Sequence, residues 1–294
     1  MISSLRFIVL FVLSYFVLLN NALAQVGALE YFSYCSNGFC RLITGDFFHQ
    51  SRDMPIDLNV SCKKNNQYAL TFDDGPSKNY PRLLQILKQN QVKVTFFIVG
   101  SQLNNQQEAG WFKQAYEDGH FMANHTFNHD DLTKLNEESI KETIEKTRTA
   151  MINAIYSGVP GASDHFPDIK RLEISSRVVR PPFGNIKMDV DDILKRNGYV
   201  SVRWNADRYD WDMPGDDPMT TRTIINRVQQ QFDFINVMAR QGKIFNQSIL
   251  DLNHDWQPTT IEAVDSLIKL VKSKGYEFVT LDVCLDSSGH ADHR

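Results

Sequence analysis

The sequence predicts a parallel α/β protein whose strands form a closed (β/α) barrel. From Tyr68 onward, apolar runs rich in β-branched and aromatic residues alternate with helical patterns, which is typical of a parallel sheet. About seven strand–helix units fit within roughly 220 residues, as expected for a barrel domain. An open, doubly wound sheet is the structural alternative.

Seven apolar runs predict the strands, at residues 68–72, 94–99, 120–123, 177–180, 199–203, 248–252 and 277–281. Helical patterns occur at residues 136–156, 187–197 and 258–274. The last of these begins with Pro258 and ends at Gly275, the usual order of start and stop signals. Residues 157–176 contain two glycines and two prolines, which predicts a long loop inserted between the third and fourth strands.

The first 24 residues have the features of a secretory signal peptide. Arg6 precedes the apolar run 7–19, and Ala22-Leu23-Ala24 forms a small-residue cleavage pattern. A membrane anchor is the alternative, but it needs about twenty apolar residues. Residues 25–66 show no periodicity and are interpreted as an N-terminal extension, and residues 286–294 as a polar tail. We therefore expect a protein secreted to the extracellular space or cell wall, without a membrane partner. A monomer is the default expectation for its oligomeric state.

The charge balance excludes a nucleic-acid partner, and three sequons are candidate glycosylation sites. Thirty-one basic and 35 acidic residues give a net charge of -4, without the basic excess of nucleic-acid-binding proteins. Acceptor sequons occur at Asn59, Asn124 and Asn246. We expect glycans only at Asn59 or Asn246, because Asn124 adjoins a candidate metal ligand.

Four cysteines fit an oxidising compartment. Cys35 and Cys40 lie in a short polar loop, Cys62 precedes the first strand, and Cys284 follows the last. Three pairings are possible from sequence alone. We favour Cys35–Cys40 and Cys62–Cys284, since the second would join the two ends of the domain. A zinc site is the alternative, but its spacing is poor.

Polar clusters follow five of the predicted strands in succession. They are Asp73-Asp74, His125 to His129, Arg180 to Gly184, Trp204 to Trp211, and Asn253 to Asp255. The C-terminal ends of parallel strands form one rim of a barrel, where active sites lie. This repeated placement favours a catalytic role for Asp73-Asp74 over a simple surface turn.

The residue types in these clusters predict a metal-dependent hydrolase. His125 and His129, at i and i+4 on a helical turn, can share a metal with an acid from another strand. Such a site suits zinc hydrolysis or iron oxygenation. The hydrolase is favoured because a second carboxylate can take a proton from metal-bound water, while His254 can protonate an amine leaving group.

Other rim residues have positioning or binding roles in this hypothesis. Arg180 can hold a carboxylate by paired hydrogen bonds. Trp204, Trp211 and Phe183 can form apolar walls for a sugar ring, with core packing as the alternative for each.

Five motifs, in order, resemble those of the polysaccharide deacetylases, the NodB-homology domain of carbohydrate esterase family 4. The motifs are Thr71-Phe72-Asp73-Asp74-Gly75, His125-Thr126-x-x-His129, Arg180-Pro181-Pro182-Phe183, Asp207-x-x-Asp210-Trp211 and Leu252-x-His254-Asp255. The resemblance covers roughly residues 67–285, and the surrounding sequence is similar to fungal-type chitin deacetylases. It implies a distorted barrel of seven or eight units.

The resemblance also implies a set of roles at the site. One divalent metal ion, zinc or alternatively cobalt, is implied on Asp74, His125 and His129. Asp73 is implied as general base and His254 as general acid.

The remaining motif residues are implied to support that chemistry. Arg180 positions Asp73, and Asp210 tunes His254. Phe183, Trp211 and Leu252 line the substrate pocket. The implied substrate is chitin or its oligosaccharides, with peptidoglycan and acetylxylan as alternatives. An inactive chitin-binding protein is the alternative from another class.

Overall fold

The computed structural model describes residues Phe39–Cys40, Ile56–Asp57, 61–156, 166–212, 221–242 and 246–285. The chain divides into two compact units, Met1–Ile56 and Asp57–Arg294, and the second contains every candidate catalytic, metal-binding and substrate-binding residue. The expected signal peptide, the polar tail, Cys35 and Asn59 lie outside the described residues. No helix in the described ranges is long and apolar enough to span a bilayer.

The second unit is built on a parallel sheet. Its strands join in the order β7-β6-β5-β4-β3-β9-β8, with β10 paired to β3, while β1 and β2 form a separate two-stranded sheet. The strands are β1 (Phe39–Cys40), β2 (Ile56–Asp57), β3 (Gln67–Gly75), β4 (Thr95–Ile98), β5 (Phe121–Asn124), β6 (Val178–Val179), β7 (Val200–Ser201), β8 (Ala206–Asp207), β9 (Ile249–His254) and β10 (Glu277–Phe278).

Helices separate most of these strands. They are α1 (Tyr80–Asn90), α2 (Gln106–Glu117), α3 (Glu137–Tyr156), α4 (Phe166–Ser175), α5 (Met188–Arg196), α6 (Thr221–Arg240), α7 (Pro258–Ser273) and α8 (Leu281–Leu285). Short 3-10 turns cover Gly100–Asn104, Leu132–Lys134 and Pro182–Gly184. The predicted helices at 136–156, 187–197 and 258–274 are confirmed as α3, α5 and α7.

The distorted (β/α) barrel is confirmed. The pairings between β3 and each of β4, β9 and β10 are all parallel. Along the described strands no ladder joins β7 to β8, so the barrel is a curled half-barrel, open between these two strands, and the closed barrel expected from the sequence is not found there. Strand β8 lies inside the polar cluster that the sequence placed after the fifth strand, so that cluster is divided between a strand and the turn that follows it.

The long loop predicted for residues 157–176 is wrong in its second half. Phe166–Ser175 forms α4, with Pro167 as its second residue. Proline is tolerated in the first turn of a helix because the amide hydrogen that it lacks has no intrahelical acceptor there. Pro167 therefore marks a helix start. Residues 157–165 lie outside the described ranges.

The apolar core of the barrel leads directly to the site. Buried side chains from several strands form one cluster, which includes Ala69, Phe97, Ala123, Val178 and Leu250. Because side chains alternate along a strand, the residues two or four positions further on share the same face. Those positions are Asp73, His125, Arg180 and His254. The inward face of the sheet thus brings four candidate catalytic side chains to one rim.

A disulfide joins Cys62 to Cys284, across 222 residues of sequence. This is one of the two predicted pairings. Asn124 is fully buried, so its sequon is closed to a glycan. Asn246 is half-buried, and its amide donates to the Cys62 carbonyl oxygen at 2.5 Å. Glycosylation of Asn246 stays a prediction.

Candidate active site

Asp73 and Asp74 end strand β3, where a bulge changes the direction of the chain. The register between β3 and β4 shifts between Phe72 and Gly75, so β3 has one residue more than its partner there. Asp74 has φ of +71°, in the left-handed region that aspartate adopts more often than most residues. A regular strand would direct adjacent side chains to opposite faces. The bulge lets both carboxylates reach one site.

The two candidate histidine ligands follow β5 in an irregular turn. The helical turn expected for His125 and His129 is wrong, since Thr126 and His129 have φ of +64° and +59°. The Asn124 side chain accepts a hydrogen bond from Thr126 N at 2.9 Å, and such local bonds compete with helix formation. The imidazole centroids are nevertheless only 4.9 Å apart, so the two rings still converge.

Asp74, His125 and His129 form a set that fits a divalent metal. The Asp74 Oδ1 atom lies 3.4 Å from His125 Nε2 and 3.3 Å from His129 Nε2. The three ligand atoms lie within 4.8 Å of one another. Asp74 Oδ1 is buried without a hydrogen-bond partner, which a cation would correct. Two imidazoles and one carboxylate are a donor set that zinc uses, with positions left for water and substrate.

The protonation of these ligands also fits metal binding. The His125 Nδ1–H donates to the Arg180 carbonyl oxygen at 2.8 Å, which leaves the Nε2 lone pair for a cation. Burial lowers the pKa of His129, and His125 lowers it further, so the neutral ligand form is favoured. Burial would raise the pKa of Asp74, but the imidazoles of His125, His254 and His129 together hold it well below its ordinary value.

Asp73 is the second carboxylate of the site, and Arg180 holds it. Arg180 Nη1 donates to Asp73 Oδ1 at 2.7 Å and to Thr71 Oγ1 at 2.7 Å. The paired hydrogen bonds expected for Arg180 are therefore divided between two partners. Asp73 Oδ2 remains directed toward the metal ligands, 3.7 Å from His125 Nε2.

The environment of Arg180 explains its fixed position. The side chain is fully buried, and its guanidinium carbon lies 3.9 Å from the centroid of the Phe97 ring. Burial lowers the pKa of Arg180, and the charge of Asp73 opposes that change. Because the ordinary pKa of arginine is so high, the group stays charged. Asp73 therefore faces a permanent cation.

His254 is held as a cation by Asp210. His254 Nδ1 lies 2.6 Å from Asp210 Oδ1, and the His254 backbone N–H donates to Asp210 Oδ2 at 2.8 Å. Burial alone would lower the pKa of His254, but the charge and hydrogen bond of Asp210, with smaller contributions from Asp74 and Asp73, raise it to about 10. The Nε2–H faces the site, 4.0 Å from Asp74 Oδ2. His254 can therefore donate a proton at neutral pH.

Two of the three expected substrate-lining residues lie beside candidate catalytic or metal-binding residues, and their role toward substrate stays a prediction. Phe183 is 49% exposed, and its ring centroid lies 4.5 Å from that of His129. Leu252 is buried on the same face of β9 as His254, two residues away.

The tryptophans of the fourth motif region differ from each other. Trp211 is half-buried, with its ring 5.9 Å from that of Tyr209, and its substrate role stays a prediction. Trp204 is 2% exposed and packs behind Gly184, where an added Cβ would lie 2.7 Å from its ring. Trp204 is therefore a core residue.

Two polar contacts were not predicted from the sequence, one within the site and one on the opposite face of the sheet. Trp256 donates its indole N–H to Asp74, although it lies outside the five motifs. Arg208 forms a buried ion pair with Asp251 at 2.7 Å and also contacts the Tyr68 hydroxyl, on the outer face of the sheet. The signal for this pair was available, because Asp251 interrupts an apolar strand and needs a buried partner.

Comparison with known protein families identifies the family of the chain. The profile of the polysaccharide deacetylases matches residues 61–161, which include Asp73, Asp74, His125 and His129. This chain carries a polysaccharide deacetylase domain. The domain is of the NodB-homology type, carbohydrate esterase family 4, whose members use a divalent metal, and Asp74, His125 and His129 offer such a site.

Relatives of the deacetylase domain act on different polymers. A peptidoglycan-N-acetylglucosamine deacetylase of Listeria monocytogenes is 31% identical over 236 residues, which are 79% of this chain and 42% of that protein. Chitin deacetylase 1 of Saccharomyces cerevisiae is 29% identical over 81% of this chain and 66% of its own length. The chain thus spans less than half of the length of the Listeria relative.

A solved structure confirms the fold of the deacetylase domain. The chitin deacetylase of the fungal pathogen Colletotrichum lindemuthianum aligns with a TM-score of 0.61 and 26% identity. The alignment covers 80% of this chain and 97% of that one.

Proposed function

We propose that this chain is a secreted metal-dependent hydrolase that removes N-acetyl groups from the N-acetylglucosamine units of chitin, giving chitosan and acetate. The observation that carries the proposal is the pairing of a metal-ligand cluster with two unlike proton-transfer groups. Asp74 Oδ1 converges with two imidazoles. Asp73 Oδ2 lies 3.7 Å from one of these imidazoles, His125 Nε2, and His254 Nε2 lies 4.0 Å from Asp74 Oδ2. This is the arrangement that amide hydrolysis requires.

Three residues of the site would bind the metal, and the others would transfer protons. Asp74, His125 and His129 would hold a divalent cation, zinc or alternatively cobalt. When bound, the cation supplies a Lewis acid that polarises the acetamide carbonyl group and lowers the pKa of a coordinated water. The side chains must then accept one proton and donate another.

Asp73 accepts the first proton. Its Oδ1 is occupied by Arg180, so Oδ2 is the atom that takes the proton from the attacking water. The buried guanidinium fixes the orientation of the carboxylate, which keeps Oδ2 directed to the site before substrate arrives.

His254 donates the second proton. The amine that leaves an amide is a poor leaving group unless it is protonated, whereas the alcohol that leaves an ester depends less on protonation. A histidine whose pKa is raised to about 10 is present as the acid at neutral pH. The contact with Asp210 therefore keeps available the proton that an amine leaving group requires.

Chitin is the proposed polymer among the N-acetylated alternatives. The support is the match to the fungal chitin deacetylase structure, of which 97% is covered, together with the similarity of the sequence around the motifs to fungal-type chitin deacetylases. Peptidoglycan is the second candidate, supported by the 31% identity of the Listeria relative and by a solved peptidoglycan N-acetylglucosamine deacetylase, of which 92% is covered with a TM-score of 0.60. We further propose that the protein acts as a monomer outside the cell, with no nucleic-acid or membrane partner.

Acetate release from three substrates tests the proposal. The zinc-loaded protein is incubated with a defined chitin oligomer, with peptidoglycan and with acetylxylan, and acetate is measured for each. We expect the highest kcat/KM on the chitin oligomer and the lowest on acetylxylan. A preference for peptidoglycan would replace the proposed polymer while keeping the N-deacetylase chemistry. Acetate from xylan alone would contradict both.

Two other classes predict different results. An inactive chitin-binding protein would bind the oligomer and release no acetate, although the residues for base, acid and metal binding are all in place. An iron oxygenase would need iron and oxygen, whereas the hydrolase works without oxygen. Running the chitin assay under nitrogen separates the oxygenase from the hydrolase, because only the hydrolase works without oxygen.

A further inference from the structure

Trp256 lies beside the candidate metal ligand Asp74 and has no role in the five motifs. Its indole Nε1–H donates to Asp74 Oδ2 at 2.9 Å. Its ring centroid lies 5.8 Å from that of His254, and 40% of the residue is exposed. The side chain thus makes one polar contact within the site and presents aromatic surface to solvent.

The indole contact assigns different tasks to the two oxygens of Asp74. Oδ1 faces His125 Nε2 and His129 Nε2, whereas Oδ2 receives the indole hydrogen bond. A carboxylate that is free to rotate can exchange its oxygens or bind a cation with both. A donor on Oδ2 restricts that rotation and keeps Oδ1 toward the cation, as hydrogen-bonded neighbours of metal ligands commonly do.

The backbone of Trp256 is held by the side chain of Asn79. The Asn79 side-chain amide donates to the carbonyl oxygens of Asp255 and Trp256, at 3.0 and 2.9 Å. Asn79 stands at the N-terminus of α1 but makes no side-chain cap there. Its amide instead holds the segment after β9. The indole therefore projects from a segment whose backbone is held by two hydrogen bonds from Asn79.

Phe183 and Trp256 are the exposed large aromatic side chains within the part of the chain that the structure describes. Phe183 contacts His129, and Trp256 contacts Asp74 and lies against His254. Both therefore adjoin the same cluster. Exposed aromatic surface at a polar site is a suitable platform for a sugar ring, since its C–H faces pack on aromatic rings.

We propose that Trp256 is a positioning residue for Asp74 and, with its exposed ring, a wall of the sugar-binding cleft. The second part rests on the proposed function, because it requires a saccharide substrate. The first part depends only on metal binding. The two roles use different parts of the side chain: the Nε1–H holds Asp74, and the ring contacts the sugar.

Two variants separate these roles. Trp256→Phe keeps an aromatic ring and removes the N–H, whereas Trp256→Ala removes both. Trp111→Phe, a half-buried tryptophan of α2, is the matched control. The zinc Kd of each chain is measured by competition with a chromogenic chelator in the absence of substrate, and KM and kcat are measured with a chitin oligomer. Thermal unfolding of each variant verifies that it is folded.

We expect Trp256→Phe to weaken zinc binding about 10–100-fold while Trp111→Phe leaves it unchanged. We expect Trp256→Ala to raise KM a further roughly 2–10-fold above that of Trp256→Phe at saturating zinc. Wild-type zinc affinity in Trp256→Phe would overturn the positioning role. Equal KM values in the two variants would overturn the wall. Because zinc binding is measured without sugar, a different natural polymer would leave the first result unchanged.

Discussion

Replacing Asp73 with asparagine is expected to lower kcat on a chitin oligomer by about 10²–10⁴-fold, the usual contribution of a general base. Asparagine preserves the shape of the side chain and can still accept a hydrogen bond from Arg180. It cannot take a proton from water. Because the ligands Asp74, His125 and His129 are unchanged, the variant should still bind one zinc ion per chain. Acetate release and bound zinc are measured on the same preparation.

A matched control for Asp73→Asn is Asp265→Asn. Asp265 is a surface carboxylate on α7, paired with Lys269 at 2.6 Å and remote from the motifs. The control should retain wild-type kcat. Full activity in Asp73→Asn would show that another group accepts the proton. Loss of zinc together with activity would mean that Asp73 contributes to the metal site itself.

Replacing His125 with alanine is expected to remove zinc and reduce acetate release to background. The substitution removes one of the three protein ligands and the hydrogen bond from Nδ1 to the Arg180 carbonyl oxygen. A ligand that binds only the folded state raises its stability by about 2.7 kcal/mol at a hundredfold excess over Kd. The wild type should therefore gain thermal stability on addition of zinc, and His125→Ala should gain none. Differential scanning calorimetry with and without zinc measures this.

His120→Ala provides the comparison for a buried histidine outside the site. His120 Nδ1 accepts a hydrogen bond from Val94 N at 3.1 Å, and its ring packs on Phe96. Burial, with the nearby charges of Lys93 and Arg171, lowers the pKa of His120 to about 3, so it is a neutral core residue. His120→Ala should unfold at a lower temperature yet keep the stabilisation by zinc. If His125→Ala is stabilised by zinc as much as the wild type, the ligand assignment is wrong.

The gathering of these side chains at one rim was predictable because it depends on residue types at strand ends. Asp73, His125, Arg180 and His254 each follow an apolar run, and alternation along parallel strands brings such positions to one face. The resemblance to the deacetylases then separated their roles. The Cys62–Cys284 disulfide was also chosen correctly, because both residues flank the same domain.

The backbone conformations of the metal-ligand turn and of the bulge at Asp74 were not predictable, because they depend on contacts that the residue spacing in the sequence does not show. A spacing of four residues suggested a helical turn for His125 and His129, but the Asn124 side chain captures the Thr126 amide and makes an irregular turn instead. The bulge at Asp74 depends on pairing with β4.

Tertiary packing also determines the different positions of two tryptophans. Trp204 and Trp256 are both tryptophans near a strand end, yet one is buried behind Gly184 and the other reaches Asp74. Sequence alone places them equally near the site, because their different neighbours come from distant parts of the chain.

The central claim is that one divalent cation on Asp74, His125 and His129 is required for deacetylation. It is tested most directly by stripping the wild-type protein with a strong chelator and titrating zinc back while acetate release from a chitin oligomer is measured. The metal site predicts no activity in the stripped protein and a linear recovery that ends at one zinc ion per chain. Acetate release that persists in the metal-free protein would contradict the claim.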